Sequence, residues 1–266
     1  MVDLLAHVVL VDLDSDGVLV GGQVVHDPEQ DLFEDGPQAA GTGAAQQGLL
    51  GDGSEGLFGE VELDVVELER LILDVAKACA PVNHDVFANP KVHITIGDAR
   101  ETLLTSRERY DVIASEPSNP FRSGIASLFT LEYYKVAAER LTDNGVFVQW
   151  VQAYEIDAPT LGTAYATLSE VFPQVETWHT NRGDLVLVAS KTAHTYKVRE
   201  LAERIAQEPF KSALAVTWRA IDIQGLLAHY IGTDAFTRAV ARSSGTTLNT
   251  DDRNVIEFGL ARWCQL

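Results

Sequence analysis

The most informative segment of the chain lies at residues 111–120, which read DVIASEPSNP. A short apolar run leads into a turn with a carboxylate, a hydroxyl and an amide, and two prolines restrict its backbone. The pattern predicts a buried strand that ends in a rigid loop. Because open parallel sheets bind ligands beyond the carboxyl ends of their strands, Glu116 and Asn119 are candidate site residues. Glu116 could accept a proton or steer a cationic amine, whereas a loop that merely connects two elements is the alternative.

Strands and helices alternate on both sides of this segment. The apolar patterns predict strands at residues 61–67, 91–96, 111–115, 146–151, 175–179 and 185–189. Helical spacing predicts helices at residues 68–80, 127–141 and 159–172, and the chain beyond residue 196 is predicted to be mainly helical. This alternation predicts an α/β fold with a mostly parallel sheet covered on both faces, and with a strand pair at its end.

Two further carboxylates follow predicted strands. Glu67 ends the first strand, where an acid can bind both ribose hydroxyls of an adenosine. A charge placed at a helix amino terminus is the alternative interpretation. Asp98 follows the second strand, where its carboxylate can accept from an adenine amino group, and an N-cap for the next helix is its alternative.

The first 60 residues differ in composition from the rest. No Lys or Arg precedes Arg70, whereas sixteen acidic residues do, so residues 1–69 carry about −16 of the formal net charge of −19. Runs of β-branched residues at 6–13 and 18–25 flank a turn and predict a β-hairpin. The Gly-, Gln- and acid-rich residues 27–60 predict a long loop or disorder. We therefore divide the chain into an atypical acidic segment, residues 1–60, and an α/β domain, residues 61–266.

Composition argues against several functional classes. The chain lacks the clustered positive charge that nucleic acid requires of a partner. It has no apolar run of the roughly 18 residues that a membrane span needs, and no signal-peptide pattern, so a soluble cytoplasmic protein is expected. Cys79 and Cys264 lie far apart in sequence and form no Cys/His cluster, so neither a disulfide nor a metal site is predicted.

Several blocks of the sequence resemble the spermidine synthase (polyamine aminopropyltransferase) family in order and spacing. These blocks read VVELE at 65–69, NPKV at 89–92 leading to GDAR at 97–100, YDVI at 110–113, LFTLEYY at 128–134 and LTDNGV at 141–146. The motif SEPSNP at 115–120, with QWVQ at 149–152 and NTDDR at 249–253, is most similar to the spermidine-synthase-like domains of bacterial transporter-fused proteins.

The resemblance implies a Rossmann-like, methyltransferase-type sheet of seven strands with an antiparallel terminal strand. Such a domain binds decarboxylated S-adenosylmethionine as a co-substrate, with no tightly bound cofactor, and transfers its aminopropyl group to putrescine or a related amine. On the nucleoside side, the resemblance implies that Glu67 binds the ribose and that Asp98 with Ala99 binds the adenine. It also allows a homodimer that uses the amino-terminal β segment.

On the amine side, Glu116 takes the place of the family's proton-accepting aspartate, and Asn119 and Gln152 would contact the amine. Glu116 is one methylene longer than aspartate, and Asn119 replaces a second aspartate and removes its charge, so the acceptor amine stays open. Residues 249–253, with two acids beside an Arg, could close over this site, whereas a capped and solvated turn is the alternative.

Family members carry a strand, a Gly-rich loop and a helix before the position of Glu67. The matching glycines here, at residues 51–56 (GDGSEG), leave too few residues before residue 61 for a full helix. Residues 1–60 are therefore interpreted as a divergent replacement, or as the product of a shifted reading frame or a wrongly assigned start. Two other functions stay open: a methyltransferase that uses intact S-adenosylmethionine on the same fold, and a cofactor-binding domain impaired in catalysis.

Overall fold

The computed structural model describes the backbone of residues 7–12, and residues 62–259 except 84, 118, 123, 154, 155, 181, 182 and 246. Eight strands lie in this part of the chain. Their bounds are β1 (His7–Asp12), β2 (Glu62–Glu67), β3 (Val92–Ile96), β4 (Tyr110–Glu116), β5 (Leu141–Val151), β6 (Gln174–His179), β7 (Leu185–Ser190) and β8 (Tyr230–Gly232).

Nine α-helices lie in the same described residues. Their bounds are α1 (Arg70–Ala78), α2 (Ala80–Asn83), α3 (Ala99–Thr105), α4 (Leu131–Arg140), α5 (Ala158–Val171), α6 (Val198–Ile205), α7 (Phe210–Thr217), α8 (Ile223–Leu227) and α9 (Asp234–Ser243). Short 3₁₀ turns occupy Val86–Ala88, Ile125–Phe129 and Ile256–Phe258. The helix predicted at residues 127–141 is confirmed for Leu131–Arg140. Its first residues belong instead to a separate 3₁₀ turn, because Thr130 caps α4 by accepting from the Tyr133 amide.

The eight strands form one mixed sheet with the order β3-β2-β1-β4-β5-β7-β6-β8. Pairings β2–β3 and β4–β5 are parallel, whereas the other pairings among the described strands are antiparallel. The predicted α/β class and the antiparallel strands at one end are confirmed. The expectation of seven strands in a mostly parallel sheet is wrong. Strand β1 is antiparallel to both of its neighbours, and the three-residue β8 adds an eighth strand beside β6.

Strand β1 lies in the middle of the sheet. The strand predicted at residues 6–13 is confirmed for His7–Asp12, and β2 and β4 pair with its two edges. Its predicted hairpin partner at 18–25 and the glycines at 51–56 lie outside the described residues. Because β1 is antiparallel to β2, its last residue, Asp12, pairs with Glu62, the first residue of β2.

Alternation along the strands builds a separate core on each face of the sheet. On one face, Phe147 of β5 and Leu187 of β7 are fully buried against α4 and α5, and the ring of Phe147 stacks on that of Phe172 with centroids 5.7 Å apart. On the other face, Trp178 of β6 packs with Trp218 and with apolar residues of α6, α7 and α8. The first of these cores is the larger, and it also includes Val66 of β2, Ile113 of β4 and Val151 of β5.

Candidate functional site

Strands β2, β3, β4 and β5 run in one direction and end at the same edge of the sheet. Glu67 and Glu116 are the last residues of β2 and β4, while Asp98 and Gln152 closely follow β3 and β5. Both glutamates are in register with His7 of the intervening β1, so their backbones are two strand spacings, about 10 Å, apart. Directly opposed residues share a face of the sheet. The structure therefore brings the predicted acids to one edge, with Glu67 and Glu116 on one face.

Glu67 is the buried carboxylate of this edge. Its side chain is only 3% exposed, and its Oε1 accepts from the backbone N–H of Glu69 at 2.8 Å. The N-cap of α1 is Glu69, which accepts from the Leu71 amide, so Glu67 is not the helix cap. The Glu67 carbonyl accepts from the Gly97 amide at 3.0 Å, which joins the ends of β2 and β3. Glu67 is thus held in a fixed place beside the turn that carries Asp98.

Asp98 is the N-cap of α3. Its Oδ1 accepts from the amides of Arg100 and Glu101 at 2.8 and 3.0 Å. This is the capping role that the sequence offered as the alternative interpretation. The carboxylate is nevertheless exposed, and Ala99 behind it is buried. Since a carboxylate can accept several hydrogen bonds, Asp98 can cap α3 and also accept a hydrogen bond from a ligand.

The loop after β4 carries Glu116 and Asn119. Both side chains are half-buried, and the neighbouring Pro117 and Pro120 are buried. The Asn119 carbonyl accepts from the Arg122 amide at 3.0 Å, which closes a turn within the loop. Burial of both prolines supports the rigid loop predicted from the sequence.

Gln152 follows β5 and is only 5% exposed. Its Oε1 is buried and has no hydrogen-bond partner among the residues that the structure describes. A buried amide oxygen without a partner is unfavourable unless a donor reaches it. This oxygen is therefore a candidate acceptor for an ammonium or amine.

Sequence reasoning missed a buried polar group beneath the loop, on the opposite face of the sheet. Ser115 and Gln149 are at most 1% exposed, and the Gln149 amide donates to the Ser115 carbonyl at 3.4 Å. Tyr133 of α4 is fully buried nearby, and burial raises the pKa of its hydroxyl well above the usual value of 10, an effect that a contact with Ser115 opposes. The only signal for this group in the sequence is a polar residue within each of two apolar strands. That these residues are buried could not be predicted, because their burial depends on the packing of α4.

The turn at residues 249–253 joins several segments that border the candidate site. Asn249 is fully buried, its amide donates to the carbonyls of Ala126 and Phe129, and its Oδ1 accepts from the Ile256 amide. Asp251 accepts two hydrogen bonds from the guanidinium of Arg100, one of them at 2.8 Å. The hydrogen bond holds the pKa of Asp251 below its ordinary 3.8. No local pattern predicts this pair, which joins positions 151 residues apart.

Neither a metal cluster nor a membrane helix is found in the described part of the chain. Its His, Cys, Asp and Glu side chains form no group of three or more that could hold a metal ion. None of the helices described there is both long enough and apolar enough to cross a bilayer.

The strand order, the acids at the strand ends and the loop after β4 together define an α/β domain with a candidate nucleoside and amine site. Residues 60–181 match the family model described as the spermine/spermidine synthase domain. The resemblance seen in the sequence is thereby confirmed for these residues.

Curated relatives agree with this family. The chain is 29% identical over 113 residues to the polyamine aminopropyltransferase of Alkaliphilus oremlandii, an alignment that covers 42% of this chain and 39% of that protein. It is 25% identical over 131 residues to the polyamine aminopropyltransferase of Korarchaeum cryptofilum, covering 47% of this chain and 40% of the relative. The chain thus matches less than half the length of these relatives.

The chain is also similar to solved structures at low sequence identity. The spermidine synthase from Thermotoga maritima aligns over 67% of this chain and 59% of its own, with 20% identity and a TM-score of 0.49. Human methyltransferase-like protein 13, solved in complex with SAH, aligns over 61% of this chain and 70% of its own, with 19% identity and a TM-score of 0.42.

Proposed function

We propose that this protein is an aminopropyltransferase that uses decarboxylated S-adenosylmethionine and a small amine. The observation that carries the proposal is the placement of Glu67 and Glu116 at one edge and on one face of the sheet, about 10 Å apart. That separation leaves room for a nucleoside sulfonium on one side and an amine on the other. The family match over residues 60–181 and the names of the curated relatives support the same reaction.

On the nucleoside side, Glu67 would accept both hydroxyls of the ribose. Its burial and its hydrogen bond from Glu69 orient the carboxylate before the ligand arrives, which lowers the entropy cost of binding. Asp98 would accept from the adenine amino group, with Ala99 lining the same turn. The hydrogen bond from Gly97 to Glu67 keeps the two contact points together.

On the amine side, Glu116, Asn119 and Gln152 would hold the acceptor. The neutral amine nitrogen attacks the aminopropyl carbon bound to the sulfonium, a C–N bond forms, and the C–S bond breaks with its electron pair going to sulfur. Methylthioadenosine leaves as a neutral thioether, and Glu116 takes the proton that the new ammonium loses. Because the sulfonium is already an activated leaving group, the protein contributes mainly alignment. An Asn at 119 places an amide, not a charge, beside the amine, which favours an acceptor with fewer cationic centres than family members bind.

Calorimetry tests the nucleoside half of the proposal. Wild-type protein is titrated with methylthioadenosine, decarboxylated S-adenosylmethionine and intact S-adenosylmethionine. We expect the first two to bind and Glu67→Gln to weaken both, while Glu62→Gln leaves them unchanged. Glu62 is a matched control, because it is an exposed glutamate at the opposite end of the same strand. Preference for intact S-adenosylmethionine would instead indicate methyl transfer, and binding of none of the three would contradict the proposal.

A turnover assay tests the amine half. Decarboxylated S-adenosylmethionine is incubated with putrescine and with a series of mono- and diamines, and methylthioadenosine release is measured. Glu116→Gln should lower kcat by roughly 10²- to 10⁴-fold, the usual contribution of a general base. Nucleoside binding that persists without any turnover would indicate a binding domain.

A further inference from the structure

Arg100 joins three segments that border the candidate site. Its Nη1 donates to Asp251 Oδ1 at 2.8 Å, and its Nη2 donates to the other oxygen of the same carboxylate. The same Nη1 lies 3.2 Å from the carbonyl of Ser127 and 3.5 Å from the Thr130 hydroxyl. Such a two-point pair fixes the guanidinium in direction as well as in place. The first turn of α3 is therefore tied both to the segment that follows the Glu116 loop and to the turn at 249–253.

Asp251 is held in place by contacts other than Arg100. Its backbone N–H donates to the Glu132 carboxylate at 3.0 Å, and the flanking Thr250 and Arg253 exchange backbone hydrogen bonds at 3.1 and 3.2 Å. The buried Asn249 anchors the start of this turn. The carboxylate of Asp251 is thus presented to Arg100 by a preformed turn.

Arg100 also lies two residues from Asp98, the carboxylate assigned to the adenine amino group. Asp251 is the main cause of the raised pKa of Arg100, with smaller contributions from Glu132 and Asp98. Glu132 accepts from the amide of Asp251, and Asp98 accepts from the amides of Arg100 and Glu101, but Asp98 is exposed. If the Arg100 guanidinium is released from Asp251, the nearby Asp98 carboxylate is therefore the group with which it would pair.

We propose that Asp251 is a positioning residue for the nucleoside subsite: it holds the Arg100 guanidinium away from Asp98 and so keeps that carboxylate available for a ligand amino group. This inference rests on the proposed function, since it takes Asp98 as the adenine contact. It assigns to the turn at 249–253 a role in ligand affinity without any contact to the ligand.

The test is calorimetry with methylthioadenosine on the full chain and its variants. Asp251→Asn frees Arg100 and should weaken binding about tenfold, equivalent to about 1.4 kcal/mol. Arg100→Met removes the cation and should weaken binding at most about threefold, as expected for a half-exposed ion pair. The double variant should bind like Arg100→Met, so that the second substitution restores affinity that the first one lost. Asp251→Glu keeps the pair and should stay within about threefold of wild type.

Asp234→Asn is the matched control, because Asp234 forms a two-oxygen pair with Arg238 on α9, outside the site. It should leave the affinity unchanged. A purely structural role for Asp251 predicts a double variant that binds no tighter than Asp251→Asn, and that result would overturn the inference, as would an Asp251→Asn variant that binds like the control. Wild-type protein that fails to bind methylthioadenosine would overturn the proposed function as well, which distinguishes the two failures.

Discussion

Gly162 of α5 faces Ser244 at the end of α9 so closely that a Cβ at position 162 would overlap the side chain of the serine. Both helices pack in the larger core, so neither can move without disturbing it. Gly162→Ala should therefore lower the free energy of unfolding by about 1–3 kcal/mol, the usual cost of overpacking. Urea denaturation measures the loss. The double variant Gly162→Ala/Ser244→Gly should recover much of it, and a single variant as stable as wild type would show that the two helices separate easily.

Asn249 should be one of the most sensitive positions of the chain. Asn249→Ala leaves the carbonyls of Ala126 and Phe129 and the amide of Ile256 without their partner in a buried region. We expect a loss of about 3 kcal/mol in thermal or urea unfolding, since each buried group left unsatisfied costs about 1–3 kcal/mol. Asn254→Ala is the control, because the Asn254 Oδ1 has no hydrogen-bond partner among the described residues. Equal losses in both variants would contradict the anchoring role of Asn249.

Asp98 combines two roles that substitutions can separate. Asp98→Asn retains an oxygen that accepts from the Arg100 and Glu101 amides, so the melting temperature should hold while nucleoside affinity falls. Asp98→Ala removes the cap as well and should cost about 1 kcal/mol of stability in addition. Thermal unfolding and calorimetry on the same samples give both quantities. If the two variants lost affinity and stability in parallel, Asp98 would be a cap alone.

The Arg100–Asp251 pair gives stability a dependence on pH. The hydrogen bond from Arg100 lowers the pKa of Asp251 from its ordinary 3.8, so the folded state favours the charged carboxylate. Its contribution is fully present above pH 3.8 and is lost as the pH falls below that value through the folded pKa. The difference in unfolding free energy between wild type and Asp251→Asn should therefore be constant from pH 7 to about pH 5 and vanish at lower pH. A difference that persists below Asp251's titration would contradict this account.

The sequence predicted the strands that carry the site better than it predicted the sheet around them. Strands β2, β3 and β4 lie within one residue of their predicted bounds, because their apolar runs end at Gly, Pro or charged residues. The direction of β1 was not predictable, since alternation along a strand carries no information about which way its neighbours run. Strand β8 was missed because its three residues form a strand only by pairing with Thr177 and Trp178.

The residues of the candidate site were likewise only partly predictable from the sequence. Glu67, Asp98 and Glu116 were found because each stands beside the end of a strand. The roles of Arg100 and Asn249 were not found, since each depends on partners more than 100 positions away. Contacts of that separation are set by tertiary packing, which local patterns do not encode.

The long-range anchoring by Asn249 also fixes an order of events during synthesis. The 3₁₀ turn Ile125–Phe129, which follows the Glu116 loop, receives two of its side-chain contacts from a residue that the ribosome adds about 120 positions later. A nascent chain can form β2 to β5 and much of the larger core before that residue emerges, since domains fold as their segments become available. The edge of the sheet that carries the acids is thus completed last, after the scaffold beneath it has formed.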